Sequence, residues 1–258
     1  MTVSRRHDGS AGDVDYGTIG HGYAVNRRSD ARIAAHIDRA LGAARRVLNV
    51  GAGTGSYEPV DRDITPVEPS AVMRAQRPRH LSTAIAAVAE ALPFVDRQFD
   101  ASMATFTVHQ WTDPERGLAE MRRVTKGRVI VLTCDPRLVQ RFWLNDYAPE
   151  VLAAEARRYP SLSRIQAALG GTIHELRVPI PCDCTDGFLE AHYGRPERFL
   201  DEGARLACSA WSFVPAEIRD QYVDHLRRDL ENGTWDVRYG HLRHAADYDG
   251  SLRLLVAA

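Results

Sequence analysis

The sequence has 258 residues, of which 44% are hydrophobic and 26% are charged, and this composition excludes a globally disordered chain. Its formal net charge of -1 leaves no basic excess to neutralise phosphates, so we do not expect a dedicated nucleic-acid-binding protein. No apolar stretch approaches the roughly 20 residues that span a bilayer, and the polar start lacks the apolar segment of a signal peptide. We therefore expect a cytoplasmic protein with no membrane contact.

Strand and helix patterns alternate through the first half of the chain. Ile33, Ile37 and Leu41 recur every four residues and predict a helix that Ser29 can cap. Strands are predicted at 47–50, 63–68, 100–107 and 128–133, and helices begin at Ser70 and Pro114. Residues near 81–89 form either a third short strand or a passage from helix to strand. This alternation is typical of a mostly parallel sheet with helices on both faces.

The pattern changes after the fifth predicted strand. Residues 137–170 and 184–245 have helical patterns, whereas 172–180 and 251–256 resemble strands. We therefore predict one α/β domain with a Rossmann-like, mostly parallel, seven-stranded sheet and a helical cap inserted after the fifth strand. Residues 16–135 would form the core and 136–250 a mainly helical cap that folds together with it, and 251–258 would return to the sheet.

A glycine-rich loop follows the first predicted strand and is the strongest functional signal. Gly51, Gly53 and Gly55 occupy alternate positions, where the absence of a Cβ lets the backbone turn and lets a ligand approach closely. The dinucleotide fingerprint requires glycine where this chain has Ser56, so the loop favours a ligand without a pyrophosphate. Glu68, at the end of the second strand, can accept hydrogen bonds from both hydroxyls of a ribose.

Several stretches, in this order and spacing, resemble the class I S-adenosylmethionine-dependent methyltransferases. The resemblance is strongest to the small-molecule group that includes the ubiquinone/menaquinone and trans-aconitate methyltransferases, and it covers roughly residues 16–135. It rests on the stretches 47–55, 67–70, 89–94, 99–100, 109–113 and 120–124.

The resemblance implies S-adenosyl-L-methionine as cofactor and assigns its contacts. These are Tyr23, Arg28, Gly51, Ala52, Gly53, Gly55, Glu68, Pro69, Ala89, Glu90, Thr105 and Phe106. The chain departs from the family pattern at two positions. Val88 replaces an aspartate that often accepts the adenine amino group, and Asn49 replaces an acid that precedes the glycine loop.

His109 is the candidate general base, because it follows the fourth strand at the edge of the sheet where such folds hold substrates. The alternative is a histidine that only packs or forms hydrogen bonds in the loop. An aromatic set outside the sheet predicts a substrate pocket beneath the cap, the alternative being the core of that lobe. Its members are Trp111, Trp143, Tyr147, Tyr193 and Trp211. Asp183, Asp186 and Glu190 either hold a polar substrate or form a solvated face. No histidine has zinc spacing with a third ligand, so no metal is predicted.

We therefore expect a methyltransferase that acts on a small molecule, by in-line transfer from the sulfonium to an oxygen, nitrogen or carbon atom. Two alternatives stay open: a nucleic-acid methyltransferase, such as one for tRNA or rRNA, and a non-catalytic cofactor-binding module. The Asp/Asn-Pro-Pro-aromatic motif of exocyclic-amine methyltransferases is absent after the fourth strand, which has Thr105-Phe106-Thr107-Val108. The expected partner is a small-molecule substrate, and the protein is expected to be a monomer or homodimer.

Overall fold

The computed structural model of the protein describes residues 26–258, so the predicted cofactor contact Tyr23 lies outside the described residues. Nine helices are described: α1 (Ala31–Leu41), α2 (Ala71–Ala75), α3 (Pro114–Val124), α4 (Pro136–Val139), α5 (Pro149–Arg158), α6 (Leu162–Leu169), α7 (Glu202–Leu206), α8 (Ala216–Glu231) and α9 (Thr234–Tyr239). Short 3₁₀ turns include Ala89–Ala91, Val108–Gln110 and Leu189–His192. The N-cap of α1 is Asp30 rather than Ser29, because the Asp30 carboxylate accepts the backbone N–H of Arg32.

A six-stranded sheet organises the fold. Its strands are β1 (Arg46–Val50), β2 (Asp63–Val67), β3 (Ala101–Thr105), β4 (Val129–Cys134), β5 (Ile173–Arg177) and β8 (Leu252–Ala257), in the spatial order β2-β1-β3-β4-β8-β5. The first four are parallel, and β8 runs antiparallel to both β4 and β5. The carboxyl ends of β1, β2 and β3 therefore meet at one edge, where ligands bind in open α/β sheets.

The predicted seven-stranded sheet has six strands among residues 26–258. The stretch 81–89, for which a third strand was one of two interpretations, contributes only an isolated parallel bridge between Val67 and Ile85. Two backbone hydrogen bonds hold it, from Glu68 N–H to the Ile85 carbonyl and from Ile85 N–H to the Pro66 carbonyl. Ile85 is partly exposed at this edge, so little apolar burial extends the pairing into a strand.

Two hydrophobic cores lie on opposite faces of the sheet. Successive residues of β4 alternate between them: Ile130 and Leu132 face the core that includes α1, and Val129 and Val131 face the core that includes α3. Every residue of β4 is buried, which explains its unbroken apolar sequence.

The predicted cap, residues 136–250, does not form one helical layer above the sheet. Within it, β5 joins the central sheet and α6 packs against α3, with Leu162, Ile165 and Leu169 in the same core as the α3 side chains. The part that departs from the sheet layers begins after β5. It contains α7, α8, α9, the 3₁₀ turns between them, and a two-stranded ladder of β6 (Ile180–Pro181) and β7 (Asp247–Tyr248).

Among the described residues, no helix is long and apolar enough to cross a bilayer.

Candidate functional site

A cavity of about 890 Å³ opens at the carboxyl edge of the sheet. We call it the main cavity. Its walls are the glycine loop after β1, the turn after β2, the 3₁₀ turn Ala89–Ala91 and the end of β3. Ligands of open α/β sheets bind at this edge, so the cavity is the candidate cofactor site.

The glycine loop has a backbone that only glycine adopts readily. Gly51, Gly53 and Gly55 have φ of 71°, 51° and 99°. A Cβ on Gly51 would lie 2.0 Å from Oγ1 of Thr107. The N–H groups of Gly51 and Ala52 both donate to the Val67 carbonyl at 2.9 Å, which joins the loop to the end of β2.

A buried polar network supports the loop from below. The Asn49 side-chain amide donates to Glu58 Oε1 at 3.0 Å, and Arg77 Nη2 donates to both Glu58 oxygens at 3.0 and 2.8 Å. Arg77 Nη1 also donates to the Gly53 carbonyl at 3.3 Å. The acid that the family pattern puts at Asn49 is therefore supplied by Glu58, which the amide of Asn49 reaches.

Glu68 lies in the wall of the main cavity and is buried. Its Oε2 accepts the Gly53 N–H at 2.8 Å, and its Oε1 accepts the Ser70 N–H at 2.8 Å. Burial raises the pKa of Glu68, and these two backbone hydrogen bonds oppose the rise. Each carboxylate oxygen has a further lone pair, so both retain the capacity to accept a ribose hydroxyl.

The main cavity is also lined by Pro69, Val88, Ala89 and Glu90. Glu90 is buried; its Oε1 accepts the Asp113 N–H at 3.0 Å, whereas its Oε2 has no partner among the described residues. An enclosed acceptor without a donor is costly unless a ligand supplies one. The adenine amino group is such a donor. The glycine loop, Glu68 and this free Glu90 oxygen together fit adenosylmethionine.

An ion pair lines the main cavity on the side of the inserted segment, the name used here for the part of the chain between β5 and β8. Arg27 Nε lies 2.5 Å from Asp186 Oδ1, with both side chains almost fully buried, and the two residues also form an antiparallel backbone bridge. Tyr57 donates its hydroxyl to Asp186 Oδ2 at 3.0 Å, and the Arg27 guanidinium lies 5.3 Å from the Phe106 ring centre. We call Arg27, Tyr57 and Asp186 the clamp.

The arginine pair before the first strand, in which either residue could meet the cofactor carboxylate, has its two members in different surroundings. Arg28 is exposed and does not line the main cavity, whereas Arg27 does. The other predicted cofactor residues within the described chain lie together: Gly51, Ala52, Gly53, Glu68, Pro69, Ala89, Glu90, Thr105 and Phe106 line the cavity. Gly55 lies just outside it, on a neighbouring groove.

A second cavity of about 390 Å³ adjoins the main one and shares Arg27 and Phe106 with it. Its remaining lining combines His109, Glu155, Tyr159 and Ser209 with Phe188, Leu189, Ala207 and Cys208. The His109 ring packs 4.4 Å from the Tyr159 ring, and its Nδ1 is enclosed without a partner among residues 26–258. Burial lowers the pKa of His109 well below its usual 6.5, and the charges of Arg158 and Arg27 lower it further. His109 is therefore a neutral imidazole at neutral pH.

Most of the predicted substrate aromatics lie in the hydrophobic core, so the core alternative describes them. Trp143, Tyr147, Tyr193 and Trp211 are buried in the core that includes α1, and none lines the main or the second cavity. Trp143, for example, donates its indole N–H to the Tyr193 carbonyl at 2.8 Å. Only Trp111 faces the main cavity, where its indole N–H donates to Thr107 Oγ1 at 3.3 Å.

Sequence reasoning did not assign Tyr57 or Gln110, both of which line the main cavity. Both amide atoms of Gln110 are enclosed without partners among the described residues. Its neighbours His109 and Trp111 were singled out, so its position beside them was an available signal. Asp186 was singled out for a polar substrate, but it forms the clamp instead, and Glu190 is buried against Ser251 rather than solvated.

Comparison with known proteins agrees with this geometry. Residues 48–133 match the family model described as a methyltransferase domain. An uncharacterized methyltransferase of Mycobacterium tuberculosis is 38% identical over 203 residues, which cover 73% of this chain and 74% of that protein. A demethylmenaquinone methyltransferase of Renibacterium salmoninarum is 39% identical over 95 residues, and this match spans only 34% of this chain and 40% of that protein.

Among solved structures, a protein of Anabaena variabilis described as a methyltransferase from an antibiotic biosynthesis pathway is 28% identical. It superposes with a TM-score of 0.84 over 90% of this chain and 99% of its own. The matched methyltransferase domain spans the glycine loop and Glu68, and the M. tuberculosis and A. variabilis relatives extend the likeness into the inserted segment. The chain therefore belongs to the class I S-adenosylmethionine-dependent methyltransferases and is an enzyme with S-adenosylmethionine as its cofactor.

Proposed function

We propose that the enzyme methylates a small molecule that binds in the second cavity. The observation that carries this proposal is the shared wall: Arg27 and Phe106 line both cavities, so a group in one lies beside a group in the other. Phe106 follows β3 and has a φ of 53°, a conformation that non-glycine residues rarely adopt and that is often retained at functional sites.

In the main cavity, we assign the methionine part of the cofactor to the glycine loop, its ribose to Glu68 and its adenine to Pro69, Ala89 and Glu90. The bound cofactor supplies an electrophilic methyl group on a sulfonium. The protein contributes alignment and a site from which water is excluded. Phe188, Leu189 and Ala207 supply the apolar walls that would exclude water around the acceptor.

These walls belong to the inserted segment after β5, which gives the predicted cap a narrower role. Only part of residues 136–250 contributes to the second cavity, through Glu155 and Tyr159 of the α5 region and the stretches 188–189 and 207–209. We propose that this segment selects the acceptor, whereas the sheet edge holds the cofactor.

We propose that His109 accepts a hydrogen bond from the acceptor and takes its proton only as the new bond to the methyl group forms. Its depressed pKa keeps the imidazole unprotonated and able to accept throughout the neutral range. The same burial makes the imidazolium unfavourable, so His109 would not ionise the acceptor in advance. An acceptor that attacks through carbon, or as an anion, needs only alignment.

A small acceptor fits the second cavity better than a nucleic acid does. The cavity is a small space between the sheet edge and the inserted segment, and the chain carries a net charge of -1. A nucleic-acid substrate would require a basic path for its backbone. A nucleic-acid methyltransferase and a non-catalytic cofactor-binding module are therefore supported by the fold alone.

The decisive experiment fills the second cavity while it leaves the main one intact. Ala207 is buried in the wall of the second cavity, so Ala207→Leu places additional methyl groups in the acceptor space. Ala204→Leu is the matched control, because Ala204 is equally buried nearby but lines neither cavity. Cofactor affinity is measured by calorimetry, and mass spectrometry follows methylated products from a metabolite extract and from bulk tRNA.

We expect the wild type and Ala204→Leu to methylate a component of the metabolite extract, and Ala207→Leu to bind cofactor but form at least tenfold less product. Methylation of tRNA alone would contradict the small-molecule proposal. Undiminished product from a folded Ala207→Leu enzyme would contradict the assignment of the second cavity.

A further inference from the structure

A third depression lies outside the clamp, at the junction of the segment before α1 and the loop 183–187. It has a volume of about 690 Å³, and it shares no lining residue with the main or second cavity. We call it the basic groove and define it by Arg28, His192, Arg195 and Arg198, which line it.

The three arginines of the basic groove have no carboxylate partner in the part of the chain that is described. Arg195 Nη2 donates to the carbonyls of Cys184 and Ala191 at 2.9 and 2.7 Å, and Arg198 reaches only the side-chain carbonyl of Asn26, at 3.4 Å.

One carboxylate lines the groove, that of Asp183, and Arg32 neutralises it at 2.6 Å. The groove therefore holds an excess of positive charge.

His192 lies in the wall of the groove, only 3% exposed, and neither of its ring nitrogens has a partner among the described residues. The buried Nε of Arg195 is likewise without one. Burial lowers the pKa of His192, and the charges of Arg195, Arg198 and Arg27 lower it further, to about 3. Several enclosed polar atoms without partners are costly, and such groups in folded proteins usually meet an ion, a ligand or water.

We propose that the basic groove binds a small oxyanion, namely a phosphate or carboxylate group, between Arg198, Arg195 and His192. Guanidinium groups recognise both anions through paired N–H donors, and a neutral imidazole donates one further hydrogen bond. This site is separate from the cofactor site in the main cavity and from the proposed acceptor site in the second cavity. It lies against the loop that carries Asp186, so a bound anion would hold that loop on the segment that carries Arg27.

Calorimetry at constant ionic strength tests the site, with inorganic phosphate and acetate as separate ligands. The variant Arg198→Gln removes an exposed guanidinium, and Arg198→Lys keeps its charge. Arg79→Gln is the matched control, because Arg79 is exposed and lies outside the groove. We expect at least one anion to bind the wild type and Arg79→Gln alike, about tenfold more weakly to Arg198→Gln, and with intermediate affinity to Arg198→Lys.

A second readout follows the His192 ring by NMR, because an anion beside it favours the imidazolium and raises its pKa. Binding that depends on Arg198 and raises the pKa of His192 supports the site, and the tighter of the two anions identifies its class. Two results would overturn the proposal. The first is that neither phosphate nor acetate binds when its concentration is 20-fold the cofactor concentration that saturates the enzyme. The second is that Arg198→Gln and Arg79→Gln weaken the affinity for the anion equally.

Discussion

The carboxylate of Glu68 offers the sharpest test of the cofactor assignment. It accepts backbone N–H groups from Gly53 and Ser70, each at 2.8 Å, and lines the main cavity. Replacement by alanine removes both acceptors, and if each also holds a ribose hydroxyl, the lost charge-assisted hydrogen bonds are worth about 2–4 kcal/mol together. Cofactor affinity should then fall by roughly 30- to 1,000-fold.

The same replacement also leaves two backbone N–H groups without their partners, so loss of affinity alone could arise from a disturbed loop. Analogues of S-adenosylhomocysteine that lack the 2′- or 3′-hydroxyl separate the two effects, because they remove the other side of the contact. We expect the wild type to bind each deoxy analogue about tenfold more weakly than the parent, and Glu68→Ala to bind all three with similar affinity. Glu68→Gln keeps the side-chain size and should be intermediate.

Calorimetric titration of S-adenosylhomocysteine and its two deoxy analogues into the wild type and each variant gives the affinities for every combination of side chain and hydroxyl. Thermal unfolding reports whether the variants are folded. A Glu68→Ala protein that discriminates against the deoxy analogues as strongly as the wild type does would refute the ribose assignment.

Three further results are expected. Burial raises the pKa of Glu190 from 4.5 to about 7, so its contribution to stability is complete below pH 4.5 and is lost as the pH rises to 7. In chemical denaturation, the free energy of unfolding of the wild type relative to Glu190→Gln should therefore fall by about 3 kcal/mol between these two pH values. A difference that stays constant with pH would contradict this expectation. Gly51→Ala places a Cβ 2.0 Å from Thr107 Oγ1 at a residue with positive φ. In urea titrations, the free energy of unfolding should therefore fall by about 2–4 kcal/mol. A fall of less than about 0.5 kcal/mol would show that the loop relaxes freely. His109→Ala should slow single turnovers roughly 10²-fold or more for an acceptor that carries a proton, and it should leave cofactor affinity unchanged. Because the pKa of His109 lies well below 6.5, the wild-type rate should not rise with pH near 6.5. A rise near pH 6.5 that is present in the wild type and absent from His109→Ala would contradict the neutral imidazole.

The sequence allowed the sheet edge to be predicted because its determinants are local. A buried strand, alternate glycines and an acid at the next strand end are consecutive in the chain, and each has a backbone or charge requirement that few residues meet. The glycine loop and Glu68 accordingly lie together around the main cavity.

The clamp and the inserted segment were not predictable in the same way. Whether Arg27 or Arg28 faces the cavity depends on a backbone bridge to Asp186, far along the chain, and a shift of one residue reverses the direction of a side chain. Aromatic density did not separate pocket from core, because Trp143 and Tyr193 satisfy their polar atoms inside the core through backbone carbonyls. The seventh strand that the sequence analysis expected does not form at residues 81–89, because Ile85 makes only a single bridge at an exposed edge of the sheet.

The clamp also bears on how the demethylated cofactor leaves the enzyme. The side chains of Arg27 and Asp186 are largely buried, and separating the two charges of a buried ion pair is energetically costly. Opening would also break the hydrogen bond from Tyr57 to Asp186. Departure of the spent cofactor is therefore expected to be slower than methyl transfer. Steady-state turnover would then report the rate of a loop motion, sensitive to solvent viscosity and largely indifferent to the nucleophilicity of the acceptor.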